Sequence, residues 1–173
     1  MKILAVVLFL TLLPMVPATP AAGQEPQAYN DAGAATRAIG QSYFDAYIAR
    51  DWDRLEPLLA DSASFRDPTA ALVFGGAQAD GRAAMMTLFR EGYAGITRMA
   101  WRPLRAIHSG QYSLFEGELD WALDMGDGRI VASVMPFVTM LQIENGRVVS
   151  HRDYGDYTPF LAAAHAARTG SER

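Results

Sequence analysis

The sequence predicts an α+β domain, and three observations predict it. Helical periodicity is concentrated in positions 34–93. Period-two alternation and hairpin turns fill positions 97–157. A single strand-like stretch, 63–67, interrupts the helices. Helices gathered in one half of a chain and antiparallel strands in the other give a sheet with helices on one face. At 173 residues the chain is long enough for one domain with a real core.

The N-terminus reads as an export signal over 1–23. Lys2 supplies its positive charge, 3–13 its apolar run, and the small residues at 17–23 its exit, with cleavage expected after Gly23. The run is short for a membrane span, and Pro14 and Pro17 prevent its extension as a helix. The other reading of these residues is an uncleaved signal anchor. Cleavage leaves 150 residues with no lysine, no stable membrane anchor, and a secreted or periplasmic location. Cysteine is absent, which excludes disulfides, thiolate metal sites and a lipid-modified cysteine. A net charge of −4 with no basic stripe argues against nucleic acid as a partner.

The remaining elements are taken in chain order. Positions 24–33 are polar and expected to be a flexible lead-in to a domain spanning 34–168, with 169–173 a tail. Ile39, Tyr43, Ala46 and Tyr47 share one face of a helix over 34–50. Asp51 is the expected N-cap of a second helix, which Pro57 shortens or bends. The strand 63–67 is closed by Pro68, and 69–80, with Gly75-Gly76 at its centre, reads as a loop. Met85, Leu88, Phe89 and Tyr93 line one face of a third helix over 81–93. Strands come next over 97–107 (bulged near Pro103), 112–125, 130–143 and 147–157, joined by Gly126-Asp127-Gly128 and Glu144-Asn145-Gly146. The alanine-rich stretch 158–168 reads as a closing helix.

Three stretches carry a family resemblance. They are Tyr43-Phe44-Asp45-Ala46-Tyr47 with Asp51-Trp52-Asp53-Arg54-Leu55; positions 59–68 with Gly81-Arg82; and positions 145–156. With these the chain resembles the nuclear transport factor 2-like superfamily, and within it the SnoaL-like group, over about 36–157. The resemblance implies a cone-shaped fold, with a curved antiparallel sheet wrapped on three N-terminal helices around a pocket. It does not fix a reaction, because the scaffold carries isomerases, cyclases, dehydratases, epoxide hydrolases and non-catalytic members.

Two catalytic patterns of the superfamily can be compared position by position. Tyr43 and Asp67-Pro68, 24 residues apart, resemble two of the three ketosteroid isomerase positions; the third falls near Thr139, which is not an acid. The limonene epoxide hydrolase positions resemble Phe65, Asp67, Glu118-x-Asp120 and Asp153, and their acid–base triad is broken because the arginine is replaced by Glu118.

Asp67 is therefore the candidate base, since a carboxylate in an apolar pocket gains the proton affinity that carbon acids require. Its alternative is a turn acid that fixes the loop after Pro68. Tyr43 is the candidate oxyanion donor, or else a core tyrosine with a satisfied hydroxyl. Asp153 is a secondary acid, on the same face of the last strand as His151. Tyr47, Phe65, Phe89, Asp120, Thr139 and His151 are the candidate substrate contacts. His151, Asp153 and Asp67 lack ligand-motif spacing, so neither a metal nor a cofactor is expected.

The strand 112–125 has two possible phases. Either Glu116, Glu118, Asp120 and Asp124 are solvated and Leu119, Trp121, Leu123 and Met125 line the interior, or the reverse. The reverse phase exposes an apolar row that calls for a second copy of the chain. The expected function is cofactor-free isomerase- or cyclase-type chemistry on a small apolar molecule, in a homodimer. A non-catalytic binding module and a dimeric interaction domain are the alternatives.

Overall fold

The structure, a computed structural model, describes residues 26–170. The expected export segment lies outside the described residues. Helix α1 spans Pro26–Ala49, so most of the expected lead-in is helical. Asp51 caps α2 (Trp52–Leu55), its side chain accepting from the Arg54 amide. Pro57 limits the continuation of α2 to a single 3₁₀ turn, Glu56–Leu58. Strand β1 (Leu59–Arg66) is longer than expected at its start.

The expected loop after Pro68 contains two elements. Asp67 caps α3 (Pro68–Phe74), Pro68 stands in its first turn, and Gly75 at φ 82° ends it in the left-handed conformation. Strand β2 (Gln78–Asp80) then pairs back on β1. Helix α4 (Arg82–Gly92) leads into the meander β3 (Ile96–Ser109), β4 (Tyr112–Asp124), β5 (Ile130–Glu144) and β6 (Arg147–Gly155), with a register shift beside Pro103 as expected. Helix α5 (Thr158–Gly170) packs on β5.

The six strands form one curved, unclosed sheet in the order β2-β1-β6-β5-β4-β3. All pairs are antiparallel except β1 and β6, which run parallel. One core cluster packs α1 and α4 on the sheet through Tyr43, Phe44, Tyr47 and Phe89; a second packs Leu119, Trp121, Met135 and Phe137 against Phe160 of α5. Tyr93 and Met99 touch both clusters. Helix α1 approaches the sheet so closely at Gly40 that a Cβ there would lie 2.3 Å from Ser113 Oγ. Among the described residues no helix is long and apolar enough to cross a membrane.

The phase of β4 is settled by this packing. Leu119 and Trp121 are buried on the concave face, while Asp120 faces the convex side and pairs with Arg98 at 2.6 Å and Arg102 at 3.0 Å. Asp120 is thus not a substrate contact, because side chains alternate along a strand and its neighbours hold the inner positions. The row thought to want a partner is interior except for Met125 at the strand end.

Candidate functional site

A cavity of about 270 Å³ opens where the two core clusters meet. Its apolar wall comes from alternate residues of β4 and β5, namely Leu119, Trp121, Leu123, Met135 and Phe137. Phe74 from α3 and Leu88 from α4 add to it, with Phe65 of β1. Four oxygen-bearing side chains interrupt this wall, Asp67, Tyr47, Tyr93 and Tyr157, and the buried Nε1 of Trp121 has no hydrogen-bond partner among the described residues. Among the described lining residues Asp67 is the only carboxylate, and there is no arginine, lysine or histidine.

Asp67 both lines the cavity and caps α3. The strand end delivers it to the cavity, and the following helix uses it as a cap. Its Oδ1 accepts from the amides of Thr69 at 2.9 Å and Ala70 at 2.7 Å and from the Thr69 hydroxyl at 2.5 Å. Tyr157 donates its hydroxyl to Oδ2 at 3.0 Å. The residue is 4% exposed. Burial pushes its carboxyl above the usual aspartate range, and the nearby Asp153 adds to that push; the bonds from Thr69, Ala70 and Tyr157 oppose it.

The other two catalytic candidates lie behind the cavity wall. The Tyr43 hydroxyl is bonded to His151 Nδ1 at 3.0 Å and does not line the cavity. Tyr43 is therefore a core tyrosine with a satisfied hydroxyl, its alternative reading. Tyr47, one turn or about 6 Å further along the same helix face, reaches the cavity instead. Asp153 is completely buried. It receives Thr139 Oγ1 at 2.6 Å and Tyr47 Oη at 2.7 Å, and lies 2.8 Å from His151 Nε2. Thr139 and His151 hold Asp153 and do not line the cavity. Phe89 does not line it either; its ring supports those of Tyr47, Trp52 and Tyr93 from behind, at 5.4–5.6 Å.

The hydrogen bonds have one consistent direction. Where Asp153 accepts from His151 Nε2, the other ring nitrogen, Nδ1, is left to accept the Tyr43 proton. Tyr47 donates to Asp153, so in its 2.6 Å bond with Tyr93 the proton comes from Tyr93. The cavity-facing end of this chain is then the Tyr93 oxygen, with its lone pairs free. Burial, reinforced by Asp153, holds Tyr43, Tyr47 and Tyr93 above the ordinary phenol range; burial and Asp67 do the same for Tyr157.

Tyr157, Tyr93, Trp121 and Phe74 line the cavity, and sequence reasoning does not single them out as site residues. Trp121 is one phase choice away, and Tyr93 shares the marked face of α4. Tyr157 carries no signal beyond its place at the end of the last strand, and Phe74 is hidden by the unrecognised α3.

The SnoaL-like domain profile matches residues 41–151. No protein of curated function matches the chain by sequence. Among solved structures, a putative SnoaL-like polyketide cyclase from Shewanella denitrificans superimposes with a TM-score of 0.67 at 16% identity, covering 76% of this chain and 97% of its own. An LEH-like epoxide hydrolase from M. tuberculosis gives 0.59 at 17% identity, covering 79% and 93%. A hypothetical protein with a ketosteroid isomerase-like fold from Catenulispora acidiphila, in complex with trimethylamine, gives 0.59 at 20% identity, covering 73% and 92%. At such identities the likeness is one of fold.

Proposed function

From the premise that the chain belongs to the SnoaL-like domain family, we propose that its cavity binds a small, largely apolar molecule and that Asp67 moves a proton on it without a cofactor, in isomerase- or cyclase-type chemistry. The observation that carries this reading is the placement of one buried carboxylate, raised in proton affinity, at the edge of an otherwise apolar cavity. Asp67 Oδ2 is the reactive oxygen, because Oδ1 is occupied by the start of α3.

Proton uptake at Oδ2 has a built-in consequence. The protonated oxygen no longer needs the Tyr157 hydrogen, and the Tyr157 hydroxyl is released to donate to negative charge developing on the ligand. Base and oxyanion donor are then coupled through one hydrogen bond, the role expected of Tyr43 being taken by Tyr157. On the N-terminal sequence alone, we also propose that the protein is exported.

A second reading, binding without turnover, is favoured by one observation: Asp67 is a complete helix cap, sufficient reason for an aspartate at this position. The test separates the two. Mature protein from its own compartment is examined by native mass spectrometry for a retained small molecule. That molecule and a panel of compact cyclic ketones are then followed in D₂O for deuterium uptake at carbon. Wild-type protein is expected to catalyse exchange and Asp67→Asn to lose it by about 100-fold or more. Exchange that is equal in the two proteins, or absent while binding persists in both, overturns the catalytic reading in favour of the binding module.

A further inference from the structure

The cavity has a charge and a hydrogen-bond polarity that its apolar wall conceals. All four groups bonded to Asp67 are donors: two backbone amides, the Thr69 hydroxyl and the Tyr157 hydroxyl. Thr69 Oγ1 also accepts from the Gly155 amide at 2.9 Å, which leaves its own hydrogen available for Asp67. Four donors converging on one carboxyl are satisfied by the ionised form, which only accepts. The phenol oxygens at the cavity edge are likewise left as acceptors, while Trp121, which also lines the cavity, keeps an indole N–H without a hydrogen-bond partner among the described residues. The Tyr157 proton is on Asp67, the Tyr47 proton on Asp153 and the Tyr93 proton on Tyr47. In the resting site the edge therefore presents a carboxylate and phenol oxygens, with no hydroxyl hydrogen left for a ligand.

The rings beside that carboxylate add a second, independent feature. Phe74, Trp121 and Tyr157 all line the cavity and stand nearly perpendicular to one another. Their centroids are 5.8 Å apart at 83° (Phe74–Tyr157), 6.2 Å at 85° (Trp121–Tyr157) and 6.4 Å at 85° (Phe74–Trp121). Ring planes at right angles can offer a compact cation more than one π face, and a desolvated cation gains from each. Asp67 has no cationic side chain beside it in this cavity, Arg66 and Arg152 lining a separate pocket that it also borders, so within the cavity a counter-charge is supplied most directly by a ligand.

We propose that the molecule this cavity takes is a compact apolar ammonium, with its charge against Asp67 and the perpendicular rings and its hydrocarbon body against β4 and β5. The inference rests on the cavity of the proposed function and not on its proton transfer. It disfavours carboxylates and phosphates as ligands, because each brings a second negative charge beside Asp67 to a cavity whose described lining has no cationic side chain to meet it.

Adamantylammonium, adamantanol and adamantane carboxylate test it by calorimetry on the mature protein. They share one compact hydrocarbon body and differ in charge. Wild-type protein is expected to bind the ammonium about tenfold or more tightly than the alcohol, and the carboxylate not at all. Asp67→Asn keeps a good helix cap and should bring the ammonium and the alcohol within about twofold of each other, with affinity for the alcohol kept. Equal binding of the two by wild type, a preference that survives Asp67→Asn, tighter binding of the carboxylate, or no binding of any probe overturns the proposal. Ammonium preference without deuterium exchange on any ligand would overturn the acid–base reading alone; exchange on a neutral ketone without ammonium preference would overturn the ammonium proposal alone.

Discussion

Asp67 holds two roles that can be separated by a pair of substitutions. Asp67→Ala removes the cap of α3, worth about 0.5–2 kcal/mol, and leaves the Tyr157 hydroxyl without its acceptor, which adds about 1–3 kcal/mol for a buried group. Together these two losses come to roughly 1.5–5 kcal/mol. Asp67→Asn keeps an oxygen where the Thr69 and Ala70 amides point and turns an amide group toward Tyr157, so its cost should stay within about 1 kcal/mol. The pH dependence then isolates the charge. Burial raises the folded-state pKa of Asp67 above the unfolded value of about 3.9. An acid raised on folding carries its penalty in full above the folded pKa, and sheds it as pH falls through the interval between the folded and unfolded values. Relative to Asp67→Asn, wild type should therefore gain stability on acidification across that interval, by about 1.4 kcal/mol for each unit of the raise. Urea denaturation of both proteins at a series of pH values reads the difference, and contributions common to both cancel. A flat difference, or a wild type that loses ground to Asn as pH falls, would refute the reasoning and show that the capping bonds outweigh burial. An Asn variant as damaged as Ala would refute the assignment of the cap.

Two further outcomes are expected. Tyr47→Phe removes a donor from the buried Asp153 and the acceptor from Tyr93; it should cost about 1.5–3 kcal/mol in chemical denaturation, whereas a loss under about 0.5 kcal/mol would mean that Asp153 does not depend on this bond. Gly40→Ala places a methyl group 2.7 Å from Ser113 Cβ, an atom that cannot rotate away; a loss of about 1–3 kcal/mol is expected, largely restored by adding Ser113→Gly, and a neutral Gly40→Ala would show that α1 stands off the sheet.

What the sequence makes legible depends on where its signals are local. The α+β class, the meander and its turns, the Asp51 cap and the bulge at Pro103 each rest on patterns within a few residues. Helix α3 is as local, yet Pro68 reads as a stop for the strand before it when it is equally a start for the helix after it. The phase of β4 is not legible, since alternation fixes which residues share a face and not which face is inside. At the site, Asp67 can be found because strand end and proline mark its position. Tyr43 and Tyr47 lie on one helical stripe; which of them meets the cavity depends on how far α1 slides along the sheet, and no helix periodicity reports that distance. The shared face of His151 and Asp153 is plain from their spacing, but their depth behind Tyr47 is a property of the assembled core.

The parallel pairing of β1 with β6 bears on timing. Strand β1 ends at Arg66 and its principal neighbour begins at Arg147, while β2, its other neighbour, contributes three residues. During synthesis at ~5–20 residues per second, β1 waits on the order of five to twenty seconds for that neighbour. Until then β1 and β2 lack the strand that joins them to the β3–β5 meander, and the cavity lacks the strand that leads to Tyr157. Long-range closure of this kind slows folding. Under the proposed export such lateness would be useful, because a chain whose sheet is joined by its last strand remains threadable until almost all of it has been made.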